Sequence, residues 1–402
     1  MATISSREGK NGISYRIKVS CGYDIKGKQI VKSKTWKPDI GMTQKQTEKE
    51  LNRIATEFET KVTKGEYSVA DNTKFSDFCD QYLQITELAP TTKQFYESII
   101  KTIIKPALGH MKIRDIRPIH SQQLIQQLSG IGVRSDGKGD RLSPATVRRY
   151  FTVYQSIMTK AYKLDLIEQN PASTKKLELP QIEEPEIQIF TREEAEHMLS
   201  CLSTEPLMFQ ILIHMAIVTG CRRGELVALK WNSIDFTTDN IYVKISNYKL
   251  TGKPISSKKP KTKKSIREIA IPPYLIGLLK QYRTEQTVWQ MSLGDRWAGE
   301  GWIFIQDDGK PMNPQTPTKW FSEFLKRHDI PHRKFHALRH TSATLLLSSG
   351  TNIKNVASRL GHTQLSTTNR YVHALKDADE NAAMIFEKLI VEPEQGNEKE
   401  KA

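Results

Sequence analysis

The spacing of apolar residues changes character twice along this chain, and one core cannot satisfy all three patterns. From Gly12 to Pro38 the sequence alternates. Ile13, Tyr15, Ile17 and Val19 fall on one face, and Ser14, Arg16, Lys18 and Ser20 on the other. A Lys26-Gly27-Lys28 turn leads into QIVKSKTWK, which makes a hairpin with one apolar face and one polar, partly basic face. From Thr43 the period becomes helical, with Leu51, Ile54, Phe58 and Val62 as an inward stripe and Gly65 as its stop. A small sheet packed on one helix is the expected outcome.

Asp71 to Asn170 reads as helical throughout. Phe75, Phe78, Tyr82 and Leu83 mark one helix, and Thr91 to Leu108 a second, between Pro90 and Gly109. Ile119 to Leu128 and Pro144 to Leu164 follow, with Ser143 as N-cap and Pro144 in the first turn. Gly132 to Asp140 is a polar, glycine-rich loop, and Thr174 to Ile189, with two prolines and alternating charge, an extended linker. Beyond it Thr191 and Glu194 have capping-box spacing. The rest, to about Val391, mixes helices with a hairpin near Ile241 to Ile271. A length of 402 residues agrees with two or three domains.

The formal charge of +15 implies a polyanionic partner, above all nucleic acid. General solubility is the plainer explanation, but the C-terminal EPEQGNEKEKA is mixed in sign and the excess lies within the patterned segments. Membrane insertion is not expected, since the most apolar stretch, Leu207 to Val218, is broken by Gln210 and His214. The N-terminus lacks the apolar core of a secretory signal. Cys21, Cys79, Cys201 and Cys221 have no metal-ligand spacing and read as thiols of a reducing cytosol.

Four patterns carry candidate chemistry. In TGCRRGE, Gly220 permits a sharp break after an apolar helix, and arginines then meet free N–H groups at a new helix start, which suits a phosphate. Taken alone, an Arg–Glu pair at a helix start explains it better. Lys244 to Arg267 holds nine basic residues and no acidic one, and Lys258 to Lys264 falls at the expected hairpin tip. Such runs are usually solvated loops, but this density without carboxylates favours a phosphate backbone. HALRH places His336 and Arg339 one turn apart on a helix. His332, His336 and His340, spaced by four, allow a metal face, which the missing glutamate base and Pro331 disfavour. Finally Gly361 reads as a helix C-cap projecting His362, and Tyr371 follows nine residues later in a polar context. Most such tyrosines pack rather than react.

Together these residues resemble the tyrosine recombinase (phage integrase) family. TGCRRGE is similar to its first arginine box, which gives Arg222 the catalytic arginine position. Pro260-Lys261-Thr262 resembles its hairpin lysine, HALRH assigns His336 and Arg339, LGH assigns His362, and Tyr371 falls at the nucleophile. The resemblance is dense from about Phe190 to Leu389 and weaker upstream, where the chain is similar to integrases of phages and conjugative transposons of Gram-positive bacteria.

The resemblance implies a multidomain fold. Residues 1–70 form a small α+β arm-type DNA-binding domain, a three-stranded sheet plus a helix. Residues 71–173 form an all-α core-binding bundle, 174–189 a linker, 190–391 a mixed, mainly-α catalytic domain with a small β-hairpin or sheet, and 392–402 a tail. It implies cleavage and rejoining of DNA through a 3′-phosphotyrosine, to integrate and excise a mobile element. The arginines hold the phosphate, Tyr371 attacks, Lys261 protonates the leaving 5′-oxygen, and His336 and His362 assist. No cofactor or metal is expected. Arg223 and His340 stay outside the catalytic set, and Glu225 is expected to fix Arg222.

Candidate DNA contacts are Arg16, Lys18, Lys32, Lys34, Lys258, Lys259, Lys263 and Lys264. Expected partners are double-stranded DNA at core and arm sites, three further copies in a homo-tetramer docked through the segment Asp377 to Val391, and an excision factor, in a bacterial cytoplasm at the nucleoid. Two alternatives stay open. A type IB topoisomerase would relax supercoils without exchanging strands, and an inert DNA-binding regulator would form no covalent adduct.

Overall fold

The computed structural model describes residues 2–9, 12–23, 27–39, 41–63, 73–134, 141–183, 188–258 and 266–372. The chain divides into two compact units, Met1–Glu183 and Glu184–Ala402.

The first unit opens with an antiparallel sheet of β1 (Thr3–Gly9), β2 (Gly12–Tyr23) and β3 (Gln29–Trp36) in that order. Alternation in β2 buries Ile17 and Val19 against Leu51, Ile54, Ala55, Phe58 and Val62 of α1 (Gln44–Thr63). Register then decides where the candidate cations lie. Arg16 sits beside Ser5 and Thr35, and Lys18 beside Thr3 and Ser33, on the face away from α1. Lys34 and Lys32 pair with Ile17 and Val19, so they line the α1 side, where Lys34 acts on Glu57. The four cations expected to bind DNA are thus split between the two faces of the sheet.

A second core follows, built from α2 (Phe75–Ile85), α3 (Pro90–Ile99), α4 (Lys105–Leu108), α5 (Pro118–Leu128) and α6 (Pro144–Lys163). Ser143 caps α6 through its side chain, as its position before Pro144 predicts. The expected Thr91–Leu108 helix is not uniform, because Ile100–Ile104 forms a π turn. Pro106 supplies no N–H and its ring crowds the preceding turn, and the wider turn accommodates it. Phe75, Phe78, Phe151 and Tyr154 fill the centre, with the Tyr154 hydroxyl 2.7 Å from Ser121 Oγ. Part of the expected linker is docked here. Leu177 and Leu179 pack on this core, Gln122 bonds both polar groups of the Glu178 backbone, and Arg148 Nε donates to the Pro180 carbonyl at 2.7 Å.

The second unit begins with α7 (Arg192–Leu202), whose Thr191–Glu194 capping box forms as its spacing predicts. α8 (Leu207–Thr219) is apolar on most sides because it is the centre of this core. Its Ile211, Leu212 and Met215 are fully buried in one cluster with Leu275, Phe321, Phe324 and Leu338. After α9 (Arg223–Leu226) comes a sheet in the order β4 (Ile234–Asp235), β5 (Asn240–Val243) and β8 (Arg267–Ala270), with a separate hairpin of β6 (Ser246–Lys249) and β7 (Ile255–Lys258).

This corrects the single Ile241–Ile271 hairpin. The expected outer pairing forms, with Ile241 opposite Ile269, but a second hairpin with its turn at residues 250–254 lies inside it. Lys258 ends that hairpin's β7, and the rest of the expected tip, Lys259 to Lys264, lies outside the described residues. In this inner hairpin Asn247 is buried and its Oδ1 accepts from Ser257 Oγ at 2.6 Å. Among the described residues five α-helices follow: α10 (Pro273–Leu293), α11 (Thr316–Arg327), α12 (Ala337–Ser348), α13 (Ile353–Leu360) and α14 (Leu365–Val372). No helix among the described residues is long and apolar enough to cross a membrane.

Candidate active site

The site is assembled at two glycine turns and the start of one helix. Gly220, at the end of α8, has φ +59°, and Gly361, at the end of α13, has φ +68°, conformations that favour glycine. Arg339 of α12 joins the two turns. Its side chain is buried, Nη1 donates to the Gly220 carbonyl at 2.6 Å, and Nη2 to the Leu360 carbonyl at 2.7 Å. Carbonyls left over at helix ends thus become the acceptors that fix a guanidinium.

Past Gly220, Arg222 takes the N-cap position of α9. Its N–H donates to Glu225 Oε2 at 2.9 Å and its Nη1 to Oε1 at 3.0 Å, while 44% of its side chain stays exposed. Burial alone would raise the Glu225 carboxyl, but hydrogen bonding and charge from Arg267, then Arg222, hold it below the usual range. Arg223 turns away and donates to Gln315 Oε1 at 3.0 Å and Thr318 Oγ1 at 2.6 Å.

Past Gly361, the His362 ring lies 2.8 Å from Thr368 Oγ1. Tyr371, on α14, is buried with Ala343, Val356 and Leu360. Its hydroxyl is 2.9 Å from His340 Nδ1, and its ring lies nearly parallel to His362, with centroids 6.2 Å apart. His336, the N-cap residue of α12, places its ring centroid 4.7 Å from that of His340. Because α12 starts at Ala337, His332 is not on the helix, and the three histidines share no helical face. No group of metal-ligating side chains occurs among the described residues.

The electrostatics follow from this crowding. Burial raises the Tyr371 phenol, and the Arg339 and Arg222 charges oppose that rise. The His336 residue is exposed, yet loss of water around its ring, then His340, Arg339 and Arg222, pushes it down to about 4. Burial, then Arg339 and Arg222, pushes His362 down to about 4 as well. His340 is lowered too, by burial and then Arg339. All three rings are neutral at pH 7. Arg339, lowered by burial to about 10, keeps its charge there. The cluster can grip an anion with fixed cations while a neutral imidazole accepts a bond from a buried phenol.

Arg222, His336, Arg339, His362 and Tyr371, far apart in sequence, are thus brought together. Lys261, with Lys259, Lys263 and Lys264, lies outside the described residues. Lys258 is exposed, its ammonium 5.4 Å over the Tyr248 ring. His340, left out of the catalytic set by sequence reasoning, lies against the Tyr371 hydroxyl, which Arg339 also hydrogen-bonds. Its signal was its place four residues after His336, which puts both rings on one helix face.

A model described as the phage integrase family matches residues 188–378, and one described as the phage integrase N-terminal SAM-like domain matches residues 74–129. A tyrosine recombinase XerC-like protein of Caldanaerobacter subterraneus subsp. tengcongensis is 29% identical over 95% of this chain and 98% of its own length. The ICEBs1 integrase of Bacillus subtilis is 26% identical over 91% of this chain and 94% of its own. Among solved structures, a Tn1549 transposon integrase in complex with a circular intermediate DNA aligns with a TM-score of 0.63 at 19% identity. The alignment covers 78% of this chain and all of that one. A lambda integrase dimer bound to a COC′ core site aligns at 0.53 with 17% identity, over 74% of this chain and 95% of that one. With both family models matched and relatives aligned nearly end to end, the chain belongs to the tyrosine recombinase (phage integrase) family.

Proposed function

We propose that this protein is a site-specific DNA recombinase that cuts and rejoins strands through Tyr371 and integrates and excises a mobile element. One observation carries the assignment of the nucleophile: the buried Tyr371 hydroxyl lies 2.9 Å from His340 Nδ1, under the charges of Arg222 and Arg339. The two guanidiniums grip the non-bridging oxygens of the scissile phosphate, with Arg222 offering its exposed edge. The Tyr371 oxygen attacks phosphorus, the bond to the 5′-oxygen breaks, and a 3′-phosphotyrosine forms. The phenolic proton passes to the neutral His340 ring and the leaving oxygen takes a proton from Lys261. His336 and His362, neutral before DNA arrives, hydrogen-bond the phosphate and become easier to protonate beside it. Rejoining reverses the step with a 5′-hydroxyl from the second duplex, so the chemistry needs no nucleotide cofactor.

The helical part of the first unit and the catalytic unit take the core site. The open face of β1–β3, carrying Arg16 and Lys18 among hydroxyls, takes arm-type DNA. Exchange between two duplexes requires four active sites, and the segment 377–391, outside the described residues, is the proposed link between protomers, with an excision factor biasing direction. The names of the Bacillus and transposon relatives support a mobile-element role. The test uses a nicked duplex carrying a site that the full chain selects from a random pool. Wild-type protein is expected to form a covalent adduct, and Tyr371→Phe to bind equally and form none. Binding without any wild-type adduct would favour the inert regulator, and relaxation without strand exchange the topoisomerase.

A further inference from the structure

Arg267 opens β8, directly after the segment that carries Lys261, and sequence reasoning counted it only as one of nine cations. Its side chain is nine-tenths buried, which a surface phosphate contact would not require. Nη2 donates to Glu225 Oε2 at 2.9 Å and lies 3.3 Å from Cys221 Sγ, while Nε donates to the Arg359 carbonyl at 2.7 Å. One planar group therefore ties three segments: the start of α9 with Arg222, the strand that follows the lysine-bearing segment, and the last turn of α13 before His362.

The charge pattern gives this geometry a purpose. Glu225 is buried and holds Arg222 through both its backbone and its guanidinium. A buried carboxylate with Arg222 as its one close cation is poorly held and costly to keep ionised. Arg267 takes up part of that charge from the buried side and leaves the exposed edge of Arg222 for substrate. We propose that Arg267 is a positioning residue of the recombinase site. Its guanidinium fixes the Glu225 carboxylate, and through it the orientation of Arg222, relative to the turn that presents His362. The inference rests on the reading of Arg222 and Tyr371 as catalytic.

A pH signature separates this role from mere packing. The groups facing Glu225 are Arg222 before its own helix, Cys221, Arg267 of β8 and Arg339 of α12. Removing Arg267 leaves burial to raise the carboxyl, and a protonated Glu225 loosens its hold on Arg222.

The experiment measures adduct formation by full-length wild type, Arg267→Met, Arg267→Lys and Arg267→Met/Glu225→Gln on the selected nicked duplex, from about pH 5.5 to 8.5. Arg267→Met is expected to be about 10–100-fold slower at the acid end, with the gap narrowing as pH rises and DNA affinity little changed. Arg267→Lys should fall between it and wild type. In the double variant the extra acid limb that Arg267→Met shows over wild type should vanish, because the titrating carboxyl is gone. An equal loss at every pH, wild-type rates in Arg267→Met, or an extra acid limb over wild type that survives Glu225→Gln would overturn the inference. If melting curves show that Arg267→Met does not fold, Arg267→Lys against wild type carries the same pH criterion. Adduct in wild type with flat variants sinks the positioning role alone, and absence of adduct in wild type sinks the active-site reading with it.

Discussion

The catalytic cluster and the N-terminal sheet are both basic, yet they hold their charges in opposite ways. Arg339 and Arg267 are buried, each fixed by part of its donor set, Arg339 to the carbonyls of Gly220 and Leu360 and Arg267 to the Arg359 carbonyl and the Glu225 carboxylate. Arg7, Arg16 and Lys18 stand exposed on the open face of β1–β3 among Thr3, Ser5, Ser14, Ser33 and Thr35. Burying a cation is costly unless every donor is matched, so such a site serves one phosphorus atom in one geometry. Exposed cations contribute affinity through counterion release and tolerate small shifts of the backbone they bind. On the proposed function, the first region serves chemistry and the second attachment.

Substitutions should separate the two regions. Arg222→Ala is expected to slow adduct formation about 10²–10³-fold while leaving affinity for the selected duplex near wild type, as when one transition-state donor is removed. Single-turnover cleavage and filter binding check this, and near-wild-type rates would remove Arg222 from the site. His340→Gln should cost about 10²-fold if the ring takes the Tyr371 proton, and an undiminished rate would make the 2.9 Å contact incidental. Arg16→Ala with Lys18→Ala should leave cleavage intact and flatten the salt dependence of arm-DNA binding by a slope of about two. An unchanged slope would deny the open face its role.

Gly220→Ala should destabilise the protein by about 1–3 kcal/mol, seen in denaturant melts. Its φ is +59°, and a Cβ there would overlap Leu360. A neutral result would mean the turn does not constrain the carbonyl that holds Arg339. The smallest effect is on stability in acid. Unfolded histidine takes a proton near 6.5, whereas His336 and His362 take theirs near 4 in the fold. Between those values the unfolded chain binds more protons, so melting temperature should fall as pH drops from about 6.5 towards 4. His336→Gln with His362→Gln should flatten that fall.

Much of this was legible in the sequence, for physical reasons. The stripe Leu51, Ile54, Phe58 and Val62, the Ser143 cap and the Thr191–Glu194 box each depend on neighbours within a few residues, and each forms as its spacing predicts. The two left-handed turns were readable because Gly220 and Gly361 each stand where a helical pattern ends. Strand register was not readable. It sent Lys32 and Lys34 to the α1 side of the sheet and placed a second hairpin inside Asn240–Ala270. Contacts distant in sequence were likewise silent: nothing near His340 announces Tyr371, and nothing near Arg267 announces Glu225 and Arg359. Arg267 was counted only within a basic run and His340 was left outside the catalytic set, because composition and spacing do not name a partner that packing sets.

The most direct trial is to trap the wild-type protein on the nicked selected duplex, digest the adduct and locate the DNA-bearing residue by mass spectrometry. The account predicts a 3′-phosphate ester on the phenol of residue 371. A linkage at any other side chain, or strand cleavage with no protein attached, would contradict it.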